Sequence, residues 1–502
     1  MIQGTASGVG KSLLTTALCR LFARAGHRVA PFKSQNMALN AAVAADGGEI
    51  GRAQAAQAEA AGVEPTVDMN PILLKPEGDL RAQVVVRGTA AVTVDFSTYQ
   101  TMTAALIDVV AGSLTRLRAA YDLILIEGAG SPAEINLADT EIVNMRIARL
   151  ADATVLLVGD IDRGGVFASL VGTLALLEPD DRARIGGFLI NRFRGDRRLL
   201  EPGLHMLTAR TGVPVFGVVP MIPERLVPAE DSLDLDRIAG AAGDAVLDVA
   251  VVRLPRISNF DDFEPLADEP GVRVRFVRTV AELAGADFIV LPGTKTTVAD
   301  LTWLHRSGLG AAVRAAAAAG RPVLGVCGGF QMLGERVDDP NGMEGVAGGA
   351  EGLGLLPVAT TFAGEKRTVR VRARVVAKHG FLAEVAGHEI AAYEIHVGRT
   401  RGVGDAVFAI TQRGADRVEE ADGAVSADGA VTGTYLHGLF ADDRLRGAVL
   451  RAVAARVGRV PDRRWGSPRR ASERYDRLAD TVGEAVDMTA IAKLVGLNWP
   501  RA

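Results

Sequence analysis

Gly4-Thr5-Ala6-Ser7-Gly8-Val9-Gly10-Lys11-Ser12 decides how the first half of the chain folds. A glycine-rich loop entering a helix lets backbone N–H groups wrap phosphate oxygens, and the helix start adds its positive dipole end. Gly4, Thr5, Ser7, Gly8 and Gly10 would line the phosphates. Lys11 would reach the outer ones, and the Ser12 hydroxyl would bind Mg²⁺. Five residues separate Gly4 from Gly10, where the standard phosphate loop has four. Only Met1-Ile2-Gln3 precede the loop. Either the leading strand is very short or the true start lies upstream, and the second is our expectation.

Outward from this loop, strand-length apolar runs alternate with helical stretches. The runs are Arg28–Pro31, Leu123–Ile126, Thr154–Val158, Gly186–Ile190 and Val213–Val219. Between them lie the helical stretches Ser12–Ala25, Thr101–Arg118 and Val166–Leu177. This alternation predicts βαβ units and an α/β fold with a mainly parallel sheet. A Gly/Ala/Asp-rich seam at Asp231–Gly243 carries no strong strand. A second alternation then starts, with strands Leu247–Leu254, Phe288–Leu291 and Pro322–Val326 and a helix Leu309–Ala319. We expect one domain over 1–245, a second over 246–445, and a tail over 446–502 of two helices with an Arg-rich connection.

With 502 residues the chain is too long for one core. Its 56 basic and 60 acidic residues give a net charge of −4, so the sequence carries no electrostatic footprint for nucleic acid. The two cysteines, Cys19 and Cys327, are too far apart in sequence to suggest a disulfide framework, and a reducing cytoplasm fits. No signal peptide is visible, and no apolar run approaches the length of a membrane span.

A metal beside phosphates needs acidic ligands. Glu127 follows Leu123–Ile126, and strand C-terminal ends are where open parallel sheets bind ligands. Asp46 and Glu49, in Asp46-Gly47-Gly48-Glu49, are further candidates, with solvated loop carboxylates as the alternative. Lys33, just after another strand, would neutralise a transferring phosphoryl group. Asp160-Ile161-Asp162-Arg163 reads equally as a ligand site or a loop salt bridge.

In the second half, Pro322-Val323-Leu324-Gly325-Val326-Cys327-Gly328-Gly329-Phe330-Gln331 reads as a strand, a cysteine between glycines, and a helix. That is a nucleophile elbow, whose following N–H, at Gly328, belongs to an oxyanion hole. A cysteine nucleophile needs a base. His437, in Gly433-Thr434-Tyr435-Leu436-His437-Gly438, is the candidate and His396 its rival.

Together, the elbow and His437 resemble the class I, or triad-type, glutamine amidotransferase domain. That resemblance implies glutamine as nitrogen donor. It also makes Leu291-Pro292-Gly293-Thr294-Lys295 a second oxyanion element that recruits Gly293. The longer phosphate loop is similar to that of dethiobiotin synthetase and its relatives, which make acyl phosphates from ATP. A phosphate-loop synthetase upstream of such a domain resembles the cobyrinate amidotransferase family. Further segments carry the likeness: Lys33-Ser34-Gln35-Asn36-Met37, Glu49-Ile50-Gly51-Arg52-Ala53-Gln54, Met69–Pro76, Asp160–Phe167, Ile190–Asp196, Ile257-Ser258-Asn259-Phe260 and Tyr393-Glu394-Ile395-His396. They resemble the branch that amidates the b, d, e and g carboxylates of adenosylcobyrinic acid a,c-diamide, using ATP and Mg²⁺. The branch that makes the a,c-diamide is the nearest alternative. A phosphate-loop ATPase with a degenerate amidotransferase domain is another. The resemblance leaves a homodimer open. The wider pattern places a Glu two residues after the base, where this chain has Leu439. We take Glu394 as the stand-in for orienting His437.

Overall fold

The computed structural model describes residues 1–500 except 79, 223–225, 229–234, 236–244, 346, 365, 403, 469 and 470. The expected seam at 231–243 therefore lies, apart from Leu235, outside the described residues. Ile2–Gly4 forms a short parallel strand beside Val155–Asp160, followed outward by Ile185–Phe193 and Val215–Pro220. On its other side, Gly128 N donates to Ile2 O at 2.9 Å and Ile2 bridges Glu127. This attaches the parallel pair Leu123–Ile126 and Val29–Phe32. The result is the parallel arrangement expected from the apolar runs. Val155–Asp160 is buried along its whole length, as a strand covered on both faces must be.

A smaller sheet of Gln35–Met37, Ile72–Pro76, Arg81–Val86 and Thr89–Asp95 leans on this domain. The second domain is built on the order Val272–Val277, Leu247–Val252, Phe288–Leu291, Val323–Val326, Val431–Thr434 and Ala424–Val425. All neighbours in it are parallel except the last pair. An antiparallel sheet containing Arg367–Val375 and Glu389–His396 flanks it.

The tail is not a unit of its own. It holds three helices, Asp443–Arg456, Ala471–Ala485 and Met488–Leu494, where two were expected. Leu445, Val449, Leu450 and Val453 of the first are buried in the core of the second domain. The other two return to the first domain, where Tyr475, Leu478, Val482 and Ile491 pack with Leu14, Leu18 and Phe22 of the helix after the phosphate loop. Arg20–Asp476 at 2.8 Å and Tyr475 Oη to Glu59 at 2.9 Å fix the register. The chain thus crosses between domains twice, which local patterning does not encode.

Candidate active site

Val323–Val326 and Val431–Thr434 are adjacent parallel strands, so the residues that follow them emerge at the same edge of the sheet. Cys327 follows the first. It sits at φ 54°, ψ −111°, a conformation that costs a non-glycine residue energy and turns its side chain out of the strand direction. The turn closes because Gly329 has no side chain: a Cβ there would lie 1.9 Å from Leu291 O. Cys327 Sγ is 3.4 Å from Ile395 O. His437 follows the second strand, close enough for the Cys327 sulfur to act on the charge of its imidazole.

The carboxylate behind His437 is Asp262. Its Oδ2 lies 2.6 Å from His437 Nδ1, and its Oδ1 accepts from Gly438 N at 2.9 Å. Burial alone would lower the imidazole pKa. The charge of Asp262, with the Cys327 thiol and the hydrogen bonds to both, overrides this and raises it to about 10. Tyr393 stacks on the His437 ring at 5.2 Å between centroids and 13° between planes. The two residues also exchange backbone hydrogen bonds, Tyr393 N to His437 O and His437 N to Tyr393 O.

Glu394 is not the orienting carboxylate. It is buried and bonded instead to Arg413 Nε at 2.7 Å, with His396 Nε2 at 3.4 Å. His396, the rival base, belongs to that cluster and stacks on Tyr435 at 3.9 Å. Leu439 is core packing. The sequence signal for Asp262 was its place in Asn259-Phe260-Asp261-Asp262, directly after a segment already singled out. Gly293 and Gly328 are both closely packed: a Cβ on Gly328 would lie 2.9 Å from Thr294 Cγ2, and one on Gly293 3.1 Å from His437 Cε1.

In the first domain, Gly8 and Gly10 have positive φ of 71° and 99°. A Cβ on Gly10 would lie 2.1 Å from Asn191 Nδ2, the atom that holds the loop by donating to Val9 O at 2.8 Å. Asn191 was quoted in the sequence without a role. Thr5 N donates to Val158 O at 2.9 Å, while Ser7 and Gly8 are exposed. Lys11 Nζ donates to Ala6 O and Gly130 O, both at 3.0 Å, so it lies curled over the loop. Ser12 Oγ donates to Glu127 Oε1 at 2.9 Å, Lys33 Nζ reaches the same oxygen at 2.9 Å, and Gln57 Nε2 donates to Oε2 at 2.5 Å. Burial works against ionisation of Glu127, but Lys33 and these hydrogen bonds outweigh it and hold the carboxyl below its usual range. A hydroxyl and a carboxylate held toward its ionised form side by side, under a cradle only glycine fits, suit a nucleotide and a hard cation.

Asp46 and Glu49 are not part of this cluster. Asp46 is exposed and accepts from Val67 N at 3.1 Å, holding the start of a short helical turn. Glu49 is buried between Lys75 and Lys366, the latter a residue of the second domain whose Nζ lies 2.5 Å from Glu49 Oε2. Their charge and hydrogen bonds override burial and keep it ionised. Its fixed charge ties the domains together. Asp160 resolves as a loop salt bridge, with Arg192 at 2.8 Å. Among the described residues no group of three or more His, Cys, Asp or Glu is arranged so that it could hold a metal ion. Nor is any helix there long and apolar enough to cross a membrane. Cys19 is buried, and burial pushes its thiol pKa up.

A phosphate-loop domain and a cysteine–histidine elbow domain in one chain define a glutamine-dependent amide synthetase. Residues 1–230 match the CobQ/CobB/MinD/ParA nucleotide binding domain, and residues 248–445 match the CobB/CobQ-like glutamine amidotransferase domain. The chain is 56% identical to a cobyric acid synthase of Sorangium cellulosum over 99% of its own length and 98% of the relative's. It is 50% identical to one from Dehalococcoides mccartyi, covering 98% and 97%, and 48% identical to one from Pelotomaculum thermopropionicum, covering 100% and 97%. The chain belongs to the cobyric acid synthase family, the glutamine-hydrolysing, ATP-using amide ligases of cobalamin biosynthesis.

Proposed function

We propose that the enzyme amidates the b, d, e and g carboxylates of adenosylcobyrinic acid a,c-diamide to give adenosylcobyric acid, in the cytoplasm. The observation that carries this reading is the pairing of an oriented Cys327–His437–Asp262 set with a Ser12–Glu127–Lys33 phosphate-loop site. Cys327, its proton already held by the cationic His437, attacks the glutamine side-chain amide, and His437 delivers that proton to the departing ammonia. Backbone N–H groups at Gly293 and Gly328 face the oxyanion. At the other site Gly4, Thr5, Ser7, Gly8, Gly10 and Lys11 hold ATP, and Lys33 balances the charge of the phosphoryl group passing to the substrate carboxylate. Ser12 and Glu127 would hold Mg²⁺, which neutralises the phosphates when bound. Ammonia then displaces phosphate from the activated carboxylate. Free ammonia is mostly protonated in water and then not nucleophilic, so joining the two sites in one chain limits its loss. The residue assignments and the division into domains at 245 belong to this proposal. A homodimer rests on the resemblance alone.

ADP formation measured with two corrinoids tests the acceptor. Turnover with adenosylcobyrinic acid a,c-diamide, and little with the corrinoid whose carboxylates are all free, supports it. The reverse preference replaces it with a,c-diamide synthesis.

A further inference from the structure

One helix touches both sites. Arg52–Ala61 carries Gln57, whose amide holds Glu127 beside Ser12. At the start of the same helix, Arg52 Nε lies 2.8 Å from Asp261 Oδ2 of the second domain, in a half-buried ion pair. Asp261 adjoins Asp262, the carboxylate on His437. The loop is gripped twice more from the same side. Asn40 Oδ1 accepts from Phe260 N at 3.2 Å, and Asn259 Nδ2 donates to Ala41 O at 3.1 Å and to Tyr393 Oη at 3.0 Å. Asn259 itself is at φ +52°, a left-handed conformation that these bonds maintain. Arg52 N donates to Asn40 O at 3.4 Å, so the grips share one support.

The five steps from Arg52 to Gln57 span about 7.5 Å of helix, which moves as a body. Glu127 already accepts from Ser12, Lys33 and Gln57. A cation engaging Ser12 and Glu127 must redistribute those bonds, and Gln57 is the one that leads out of the site.

We propose that the helix Arg52–Ala61 couples occupancy of the phosphate-loop site to the glutaminase site, with Arg52 as the positioning residue for Asp262 through Asp261. The inference rests on the amidotransferase reading above. It makes glutamine hydrolysis answer to the state of the synthetase domain without any residue common to the two reactions.

The test compares wild type, Arg52→Ala and Arg52→Lys. Glutaminase kcat/KM is followed across pH, with and without Mg²⁺ and a non-hydrolysable ATP analogue, and Cys327 alkylation rates are followed in parallel. Ammonia-fed corrinoid amidation serves as the control for an intact synthetase site. Wild type should gain about tenfold in glutaminase kcat/KM on adding the analogue, within the usual range of coupling between sites. Arg52→Ala should lose that gain, with a displaced pH profile of both kcat/KM and alkylation, while keeping ammonia-fed amidation. Arg52→Lys should recover part of it. An unchanged ratio in Arg52→Ala, a wild type indifferent to the analogue, or equal loss of the ammonia-fed reaction each overturns the coupling. Absence of glutaminase activity from wild type would instead sink the amidotransferase reading.

Discussion

His437 Nδ1 stands 2.6 Å from Asp262 Oδ2, across 175 residues of sequence. That contact orients the His437 ring and supports its positive charge beside Cys327. Asp262→Asn should lower glutaminase kcat by roughly 10²–10⁴-fold with little change in KM. Glu394→Gln should disturb the Arg413 cluster and leave kcat within about tenfold. Steady-state glutamine hydrolysis checks both.

The charge state of His437 gives a pH signature. Its pKa in the fold, about 10, lies above its ordinary 6.5, so its ionic contribution to stability is complete below 6.5 and is lost as pH rises through about 10. Asp262→Asn removes the chief raising influence and leaves burial, which lowers the pKa. Imidazole NMR at pH about 8 should show a cationic His437 in wild type and a neutral one in the variant.

The two chemistries should separate. Cys327→Ala should abolish amidation fed by glutamine and preserve amidation fed by ammonium salts, since the thiol serves only nitrogen release. Lys11→Ala should abolish both, because the phosphate site serves every amidation. Product formation with each nitrogen source is the measurement.

The returning tail should matter to the first domain. Leu478 is fully buried against the helix of the phosphate loop. Leu478→Ala should cost about 2–5 kcal/mol, read by denaturant unfolding, and weaken nucleotide binding before glutamine hydrolysis fails.

The phosphate loop and the elbow were legible because each is contiguous, with its glycines at fixed offsets from Lys11 and Cys327. The parallel strands were legible because burial on both faces writes them as unbroken apolar runs. Asp262 was not, since an orienting carboxylate needs only a spatial position and came from a loop far from His437. Glu394 attracted attention through its neighbours in sequence, yet its side chain is taken by Arg413. Asp46 and Glu49 looked like ligands by composition. Their partners in the fold are the Val67 amide and a lysine from the second domain, which no local pattern reveals. The return of residues 471–494 to the first domain escaped for the same reason.

Mass spectrometry of adenosylcobyrinic acid a,c-diamide incubated with the enzyme, ATP, Mg²⁺ and glutamine tests the central claim most directly. Each replacement of OH by NH₂ lowers the mass by about one unit, and the series should stop after the fourth step. An unaltered corrinoid beside active glutamine hydrolysis would contradict the assigned acceptor.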